Sequence, residues 1–316
     1  MRSSGSSPGG PFDAIGKTPM VELPHLAPSP QIRLYAKLES ANPTGSVKDR
    51  IAHAMLVEAR ASGALQPGQT ILEPSSGNTG ISLAWIGRLM GHTVRIVMPD
   101  NTTVEREQLL RLYGAEIVPS PGAEGSNGAI RLAQELSAAD PSLFMPYQYG
   151  NPANPRAHEE GTGPEILAAV PQIDLFVAGL GTGGTLTGVG RFLKRERPGV
   201  RVIAAEPLPG EQVHGLRSLE EGFVPPVLDE SILDDRYLVG NRDALIGVRR
   251  LMQEEGIFAG LSSGAALHVA LRAIAEMEEG RIVVLLADGG WKYLSTGIYD
   301  RDLDELQDEL ERSLLW

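Results

Sequence analysis

The chain has 316 residues, a net charge of −12, 42% hydrophobic and 22% charged residues, and no cysteine. Disulfides, thiolate metal sites and cysteine nucleophiles are thereby excluded, and the acidic balance argues against nucleic acid or an anionic membrane as the main partner. Six scattered histidines show no ligand spacing, no apolar run approaches the roughly 18 residues of a membrane span, and "MRSSGSSPGG" contains no hydrophobic signal region, so the expectation is a metal-free cytoplasmic protein.

At this length two lobes are expected rather than one core. Residues 1–10 read as a flexible tail. Strand patterns at 32–40, 69–76, 93–99 and 116–121 alternate with helical spacing at 79–90, 103–115 and 127–138. After the turn-rich stretch "YQYGNPANP" (147–155) the style repeats. Strands are expected at 174–181, 201–207 and 281–288, and helices at 186–197, 244–256 and 264–277. Near-continuous apolar strands alternating with helices indicate an α/β fold of two lobes with mostly parallel sheets, whose ligand sites lie where strands run into helices.

Three such turns hold unusual residues. "NPTGSVKDRIAHAM" (42–55) places Lys48 just past a glycine at the start of a helix. A lysine there is either a solvated charge or an amine whose pKa the helix dipole depresses, suited to an imine. "EPSSGNTGIS" (73–82) crowds Ser75, Ser76, Asn78 and Thr79 at a second helix start. One N-cap needs one such residue, and the surplus suits a carboxylate.

"GLGTGGTLTG" (179–188) follows a strand and opens a helix. Gly179, Gly181 and Gly184 match the dinucleotide fingerprint, and Glu206 ends the next strand where a ribose-binding acid would stand. A nicotinamide dehydrogenase is therefore one reading. A simple close-packed turn is another. Gly181, Thr182, Gly183, Gly184 and Thr185 instead favour a cradle for one terminal phosphate, combining successive backbone N–H groups with two hydroxyls.

An amine, a carboxylate nest and a phosphate cradle together match what pyridoxal phosphate requires. "NPTGSVKDR", "EPSSGNTGIS", "YGNPANP", "GLGTGGTLTGVG", "EGIFAGLSSGA" and "WKYLSTG" resemble the motif set of the fold-type II pyridoxal-phosphate enzymes, specifically the cysteine synthase family. Within it, "GLRSLEEGFVPPVLD" and "SLLW" are most similar to the actinobacterial O-phosphoserine sulfhydrylases. The resemblance implies a tryptophan synthase β-like fold. A larger lobe of residues 11–38 and 148–316 would bind the phosphate and ring nitrogen, and a smaller, movable lobe of 39–147 the substrate carboxylate.

The resemblance further implies that Lys48 holds the cofactor, Asn78 bonds its ring hydroxyl, Gly181 to Thr185 bind its phosphate and Ser262 faces its ring nitrogen. Ser75, Ser76, Asn78, Thr79 and Gln148 would grip the amino-acid carboxylate. The implied reaction is β-replacement through an aminoacrylate, forming L-cysteine with sulfide or a thiocarboxylated carrier protein as sulfur donor, in a homodimer. Arg217 is placed at the leaving-group end. Arginine matches a phosphate dianion bidentately, which favours O-phospho-L-serine over O-acetyl-L-serine. An O-acetylserine sulfhydrylase, a cystathionine β-synthase and a non-catalytic scaffold for an acyltransferase are the other readings. The apolar end Leu314, Leu315 and Trp316 reads as plain packing, as a dimer contact or, as the resemblance implies, as a lid that folds over the site and shields it from water.

Overall fold

The computed structural model describes residues 9–75, 77–211 and 213–312. Among the described residues ten strands form two sheets. They are β1 (Met20–Glu22), β2 (Ile32–Leu38), β3 (Thr70–Pro74), β4 (Val94–Pro99), β5 (Glu116–Ser120), β6 (Leu143–Phe144), β7 (Leu175–Gly179), β8 (Arg201–Pro207), β9 (Asp235–Val239) and β10 (Gly280–Leu286). The larger sheet has the order β1-β2-β10-β7-β8-β9 and the smaller β5-β4-β3-β6. Only the β1–β2 pair is antiparallel; every other pair is parallel.

The ten α-helices are α1 (Lys48–Ala61), α2 (Asn78–Leu89), α3 (Val104–Leu112), α4 (Gly125–Ala139), α5 (Ala153–Ala157), α6 (Gly163–Ala169), α7 (Gly184–Glu196), α8 (Asn241–Glu255), α9 (Leu261–Ile274) and α10 (Leu303–Arg312). Strand alternation explains why both faces of the larger sheet need covering. Leu175, Val177, Ile203, Ala205, Ile282 and Val284 enter the core under α8 and α9. Their neighbours Phe176, Ala178, Val202, Ala204, Val283 and Leu285 enter a second core with α6 and α7. In the smaller sheet Ile71 and Ile96 face one core while Leu72 and Val97 face another.

The expected strands and long helices are present. Their starts differ where polar first turns hide the periodicity: α8 begins at Asn241 and α9 at Leu261, each three residues ahead of the sequence pattern. Gly256, expected inside α8, stops it with φ +69°, which favours glycine. Strands β1, β6 and β9 and helices α5, α6 and α10 have no counterpart in the sequence pattern.

Helix α1 is bolted to the turn after β2 and to α6 by charges that lie largely inside the protein. Arg50 donates to Glu39 at 2.7 and 2.9 Å and to Glu165 at 2.8 and 2.8 Å. Lys37 adds a 2.7 Å bond to Glu165. Burial alone would raise the Glu165 pKa, but the hydrogen bonds from Arg50 and Lys37 outweigh it and hold it at about 2. No described helix is long and apolar enough to cross a membrane. The end Leu314, Leu315, Trp316 lies outside the described residues.

Candidate active site

Lys48 is the first residue of α1. The turn before it is fixed by Asp49, which accepts from the Thr44 backbone N–H at 2.7 Å and the Ser82 hydroxyl at 2.6 Å, with Thr44 Oγ1 donating to it as well. Gly45 occupies φ +80° in that turn with the Trp291 ring against it, so a side chain there meets both backbone strain and a clash. Among the described residues the Lys48 amine has no hydrogen-bond partner. Burial lowers its pKa, while the carboxylates of Asp288 and Glu39 pull the other way. The sequence pointed to the helix dipole; desolvation is the leading cause.

Two adjoining cavities meet at Lys48. One is lined by Lys48, Asn78, Gly181, Thr182, Gly183, Thr185 and Ser262. The other brings Lys48 and Asn78 together with Ser75, Thr79, Gln148 and Arg217. A larger space of about 230 Å³ lies further out, between residues 124–127 and 213–218, and shares Arg217 and His214 with the second cavity. Ser76 lies outside the described residues. Gly184 stands behind the cradle, its Cα packed on Asn154, whose Oδ1 lies 1.9 Å from where a Cβ would sit.

The cradle at the start of α7 is shaped for an anion. Gly181 passes so close to the Gly215 carbonyl oxygen that a Cβ would stand 2.7 Å from it, and Gly183 takes φ +82°. The first-turn N–H groups of α7 have no acceptor within their own helix. Thr185 Oγ1 contacts His158 Nε2 at 3.2 Å, and His158 Nδ1 contacts Thr162 Oγ1 at 2.9 Å. Burial, then the neighbouring charges of Arg50 and Lys48, lower the His158 pKa well below its usual value, so it serves as a neutral brace.

On the other side, the Ser75 hydroxyl accepts from Gly77 N–H at 3.2 Å and Gly80 N–H at 3.0 Å. It therefore caps the turn while keeping its own proton to donate. Thr79 Oγ1 donates to Gln148 Oε1 at 2.8 Å. Gln148 is itself anchored through Glu73, which accepts from the backbone N–H groups of Tyr147 at 2.7 Å and Gln148 at 2.9 Å. Burial raises the Glu73 pKa to about 8 against those two bonds, and Tyr147 sits at φ +54°. A side chain at positive φ is strained backbone held by its surroundings.

Arg217 is buried, not solvated, with 7% exposure. Its Nη1 donates to Asn127 Oδ1 at 2.9 Å, and its guanidinium stands 4.9 Å from the Phe223 ring and 5.4 Å from the Tyr149 ring. Ser262 is the second residue of α9, whose N-cap is Gly260, so its hydroxyl is not a cap and opens into the first cavity. Glu206 is taken up within the fold: it accepts from the Leu219 N–H at 2.7 Å, from Ser218 Oγ at 3.3 Å and from Arg236 at 3.1 Å. That leaves no ribose-binding acid beside the glycine turn, against the dehydrogenase reading.

Several residues escape a sequence reading. Lys292 donates to Asn78 Oδ1 at 2.6 Å, and Asn78 Nδ2 donates to Asp288 Oδ2 at 2.7 Å. Burial lowers the Lys292 pKa to about 8 although Asp288 opposes it. Arg106 is fully buried, contacts His214 Nδ1 at 3.3 Å and lies over the Tyr293 ring at 4.6 Å. Among the described residues its Nε and Nη2 have no hydrogen-bond partner. Only the aspartate closing the last strand, followed by a lysine in "GGWKY", offered a signal. No described cluster of His, Asp or Glu could hold a metal.

Comparison with known proteins agrees with this geometry. The family described as pyridoxal-phosphate dependent enzyme matches residues 11–288. A cysteine synthase of Staphylococcus aureus is 46% identical over 298 residues, covering 91% of this chain and 96% of that protein. The crystal structure of an O-ureido-L-serine synthase superposes with a TM-score of 0.88 at 41% identity, covering 96% of this chain and all of the other. An O-acetyl serine sulfhydrylase from Entamoeba histolytica gives 0.85 at 35% identity, covering 98% of each chain.

Proposed function

The chain belongs to the pyridoxal-phosphate-dependent enzyme family, and we propose that within it this protein forms L-cysteine by β-replacement on O-phospho-L-serine. The residues present fit the cofactor. An amine with no partner among the described residues, a cradle whose turns at Gly181 and Gly183 exclude a side chain, and a hydroxyl at Ser262 share one cavity. Lys48 would hold the cofactor, Gly181, Thr182, Gly183, Gly184 and Thr185 its phosphate, Asn78 its ring hydroxyl and Ser262 its ring nitrogen.

Bound there, pyridoxal phosphate supplies the electron sink for bonds broken at the substrate's α-carbon. The chain supplies the rest. Lys48, with its pKa lowered by burial, is the base that takes the α-proton and later returns it. The Ser75 hydroxyl proton, Thr79 and the Gln148 amide flank the place of the substrate carboxylate, with Ser76 assigned there from sequence. Ser262 offers a neutral hydroxyl instead of a carboxylate, leaving the ring nitrogen uncharged and the sink shallow.

Arg217 is the observation behind the phosphate ester. A buried guanidinium, held by Asn127 and two aromatic rings in the cavity that contains Lys48, suits a leaving phosphate better than an uncharged acetyl group. The curated relative named cysteine synthase supports the product, and the Entamoeba relative makes O-acetyl-L-serine the alternative substrate. The sulfur donor is sulfide or a thiocarboxylated carrier protein, and the working assembly is a homodimer whose smaller lobe, residues 39–147, moves on binding.

The test is the visible spectrum of the cofactor-loaded protein titrated with each ester. A spectral change at lower concentrations of O-phospho-L-serine than of O-acetyl-L-serine is the expected result. A response to the acetyl ester alone moves the protein to the acetylserine branch, and no cofactor band at all overturns the reading.

A further inference from the structure

The amide of Asn78 is gripped from two sides by groups of opposite charge. Lys292 Nζ donates to Oδ1 at 2.6 Å, and Nδ2 donates to Asp288 Oδ2 at 2.7 Å. The grip is itself anchored: Lys292 Nζ lies 3.5 Å from the Gly45 carbonyl oxygen, and the Tyr293 hydroxyl donates to Asp288 Oδ2 at 2.9 Å. Both Lys292 and Asp288 are fully buried.

A carboxamide has nearly the same shape either way up, so its partners alone decide which end points where. Rotated by half a turn, Asn78 would set its NH₂ against the Lys292 ammonium and its oxygen against the Asp288 carboxylate. In a buried site each of those like-polarity contacts forfeits a charge-assisted hydrogen bond and leaves a charged group without a partner. One orientation therefore survives, in which Nδ2 retains a second N–H. Asn78 lines both cavities beside Lys48, which is where that N–H is of use.

We propose that Lys292 and Asp288 are positioning residues that lock the Asn78 amide as a hydrogen-bond donor toward the cofactor. The proposal rests on the reading of Asn78 as the residue that bonds the cofactor's ring oxygen. A flipped amide would present a carbonyl oxygen to an oxygen that carries negative charge. Asn78 opens α2 beside the smaller sheet, whereas Asp288 and Lys292 follow β10 of the larger one, so the donor is set only when both halves are in register.

The experiment is a double-mutant cycle on the full chain, read as cofactor affinity. Cofactor-stripped Asn78→Ala, Lys292→Met and the double variant are titrated with pyridoxal phosphate, following the absorption band of the lysine-bound cofactor. Melting of each stripped protein checks that it is folded. Lys292→Met is expected to weaken binding about tenfold and to shift the band in the presence of Asn78, but to weaken it by less than about twofold once Asn78 is alanine. Lys292→Gln, whose shorter side chain cannot span to Asn78, repeats the break with a polar group should methionine compromise folding. Equal losses in both backgrounds, or no loss from either Lys292 variant while Asn78→Ala weakens binding, overturn the positioning role and leave the Asn78 reading standing. No loss from Asn78→Ala overturns both.

Discussion

Lys48 and Arg50 stand two residues apart on α1 and are treated in opposite ways. Arg50 makes four hydrogen bonds to Glu39 and Glu165, and that cluster has no open valence toward a cavity. Lys48, two residues earlier, has an amine with no hydrogen-bond partner among the described residues, and it opens into the two cavities that also hold Asn78. Buried polar groups are normally satisfied, because an unmet one costs about 1–3 kcal/mol. The contrast divides one helix between two tasks: the paired charges of Arg50 fix where α1 sits, and the proposed cofactor lysine is left facing the cavities.

If that division holds, breaking each side should damage a different property. The largest effect falls on Lys48→Ala, expected to cut turnover by about 10⁴-fold or more with no loss of melting temperature, since it removes a buried unpaired amine. A large fall in thermal stability would blur the distinction. Next is Glu165→Gln, which leaves the buried Lys37 and Arg50 short of a half-buried counter-charge. It should cost about 3 kcal/mol in denaturant unfolding at pH 7 while sparing turnover of the folded fraction.

The same glutamate gives a pH signature. Its folded pKa of about 2 lies below its usual 4.5, so its contribution is full above 4.5 and is lost as pH falls toward 2. The variant should lack the part of the acid destabilisation that falls in that window, read from unfolding midpoints across it. Smaller again is Arg217→Ala, expected to lower kcat/KM for O-phospho-L-serine by about 30-fold, or ~2 kcal/mol, and to leave the acetyl ester nearly unaffected. Equal losses on both esters would make Arg217 a packing residue. The smallest is Thr79→Val, which deletes the 2.8 Å bond to Gln148 and should raise KM about fivefold, the equivalent of ~1 kcal/mol, with a modest fall in melting temperature from the buried Gln148 oxygen left without its donor.

What the sequence disclosed follows from distance along the chain. Lys48, the asparagine loop and the glycine cradle were legible because each is a local turn whose residue types are improbable for capping or packing alone. The parallel strands were legible from apolar continuity. Lys292 was not, because its partner Asn78 is 214 residues away, and nothing local distinguishes a buried lysine from a solvated one. Glu73 and Gln148 are 75 residues apart, Arg106 and His214 108, and in each case the role exists only in the folded contact. Strand β6, two residues long, is set by pairing with β3 rather than by any pattern of its own. Ser262 was assigned to the cofactor from its motif, but its place inside α9 rather than at the cap needed the backbone.

The pairing of β2 with β10 has a consequence for the timing of synthesis. Residues 32–38 of the larger sheet find their parallel neighbour only at 280–286, so the first-made strand of that pair waits for the last. At roughly 5–20 residues per second on the ribosome, that interval is about 12–50 s. For most of it, Lys48 and the asparagine loop already exist, whereas Asp288 and Lys292 do not. The nascent chain therefore passes most of its synthesis with the proposed cofactor lysine made but the residues that grip Asn78 still unmade, and messages truncated before codon 280 should yield polypeptides that neither close the larger sheet nor retain pyridoxal phosphate.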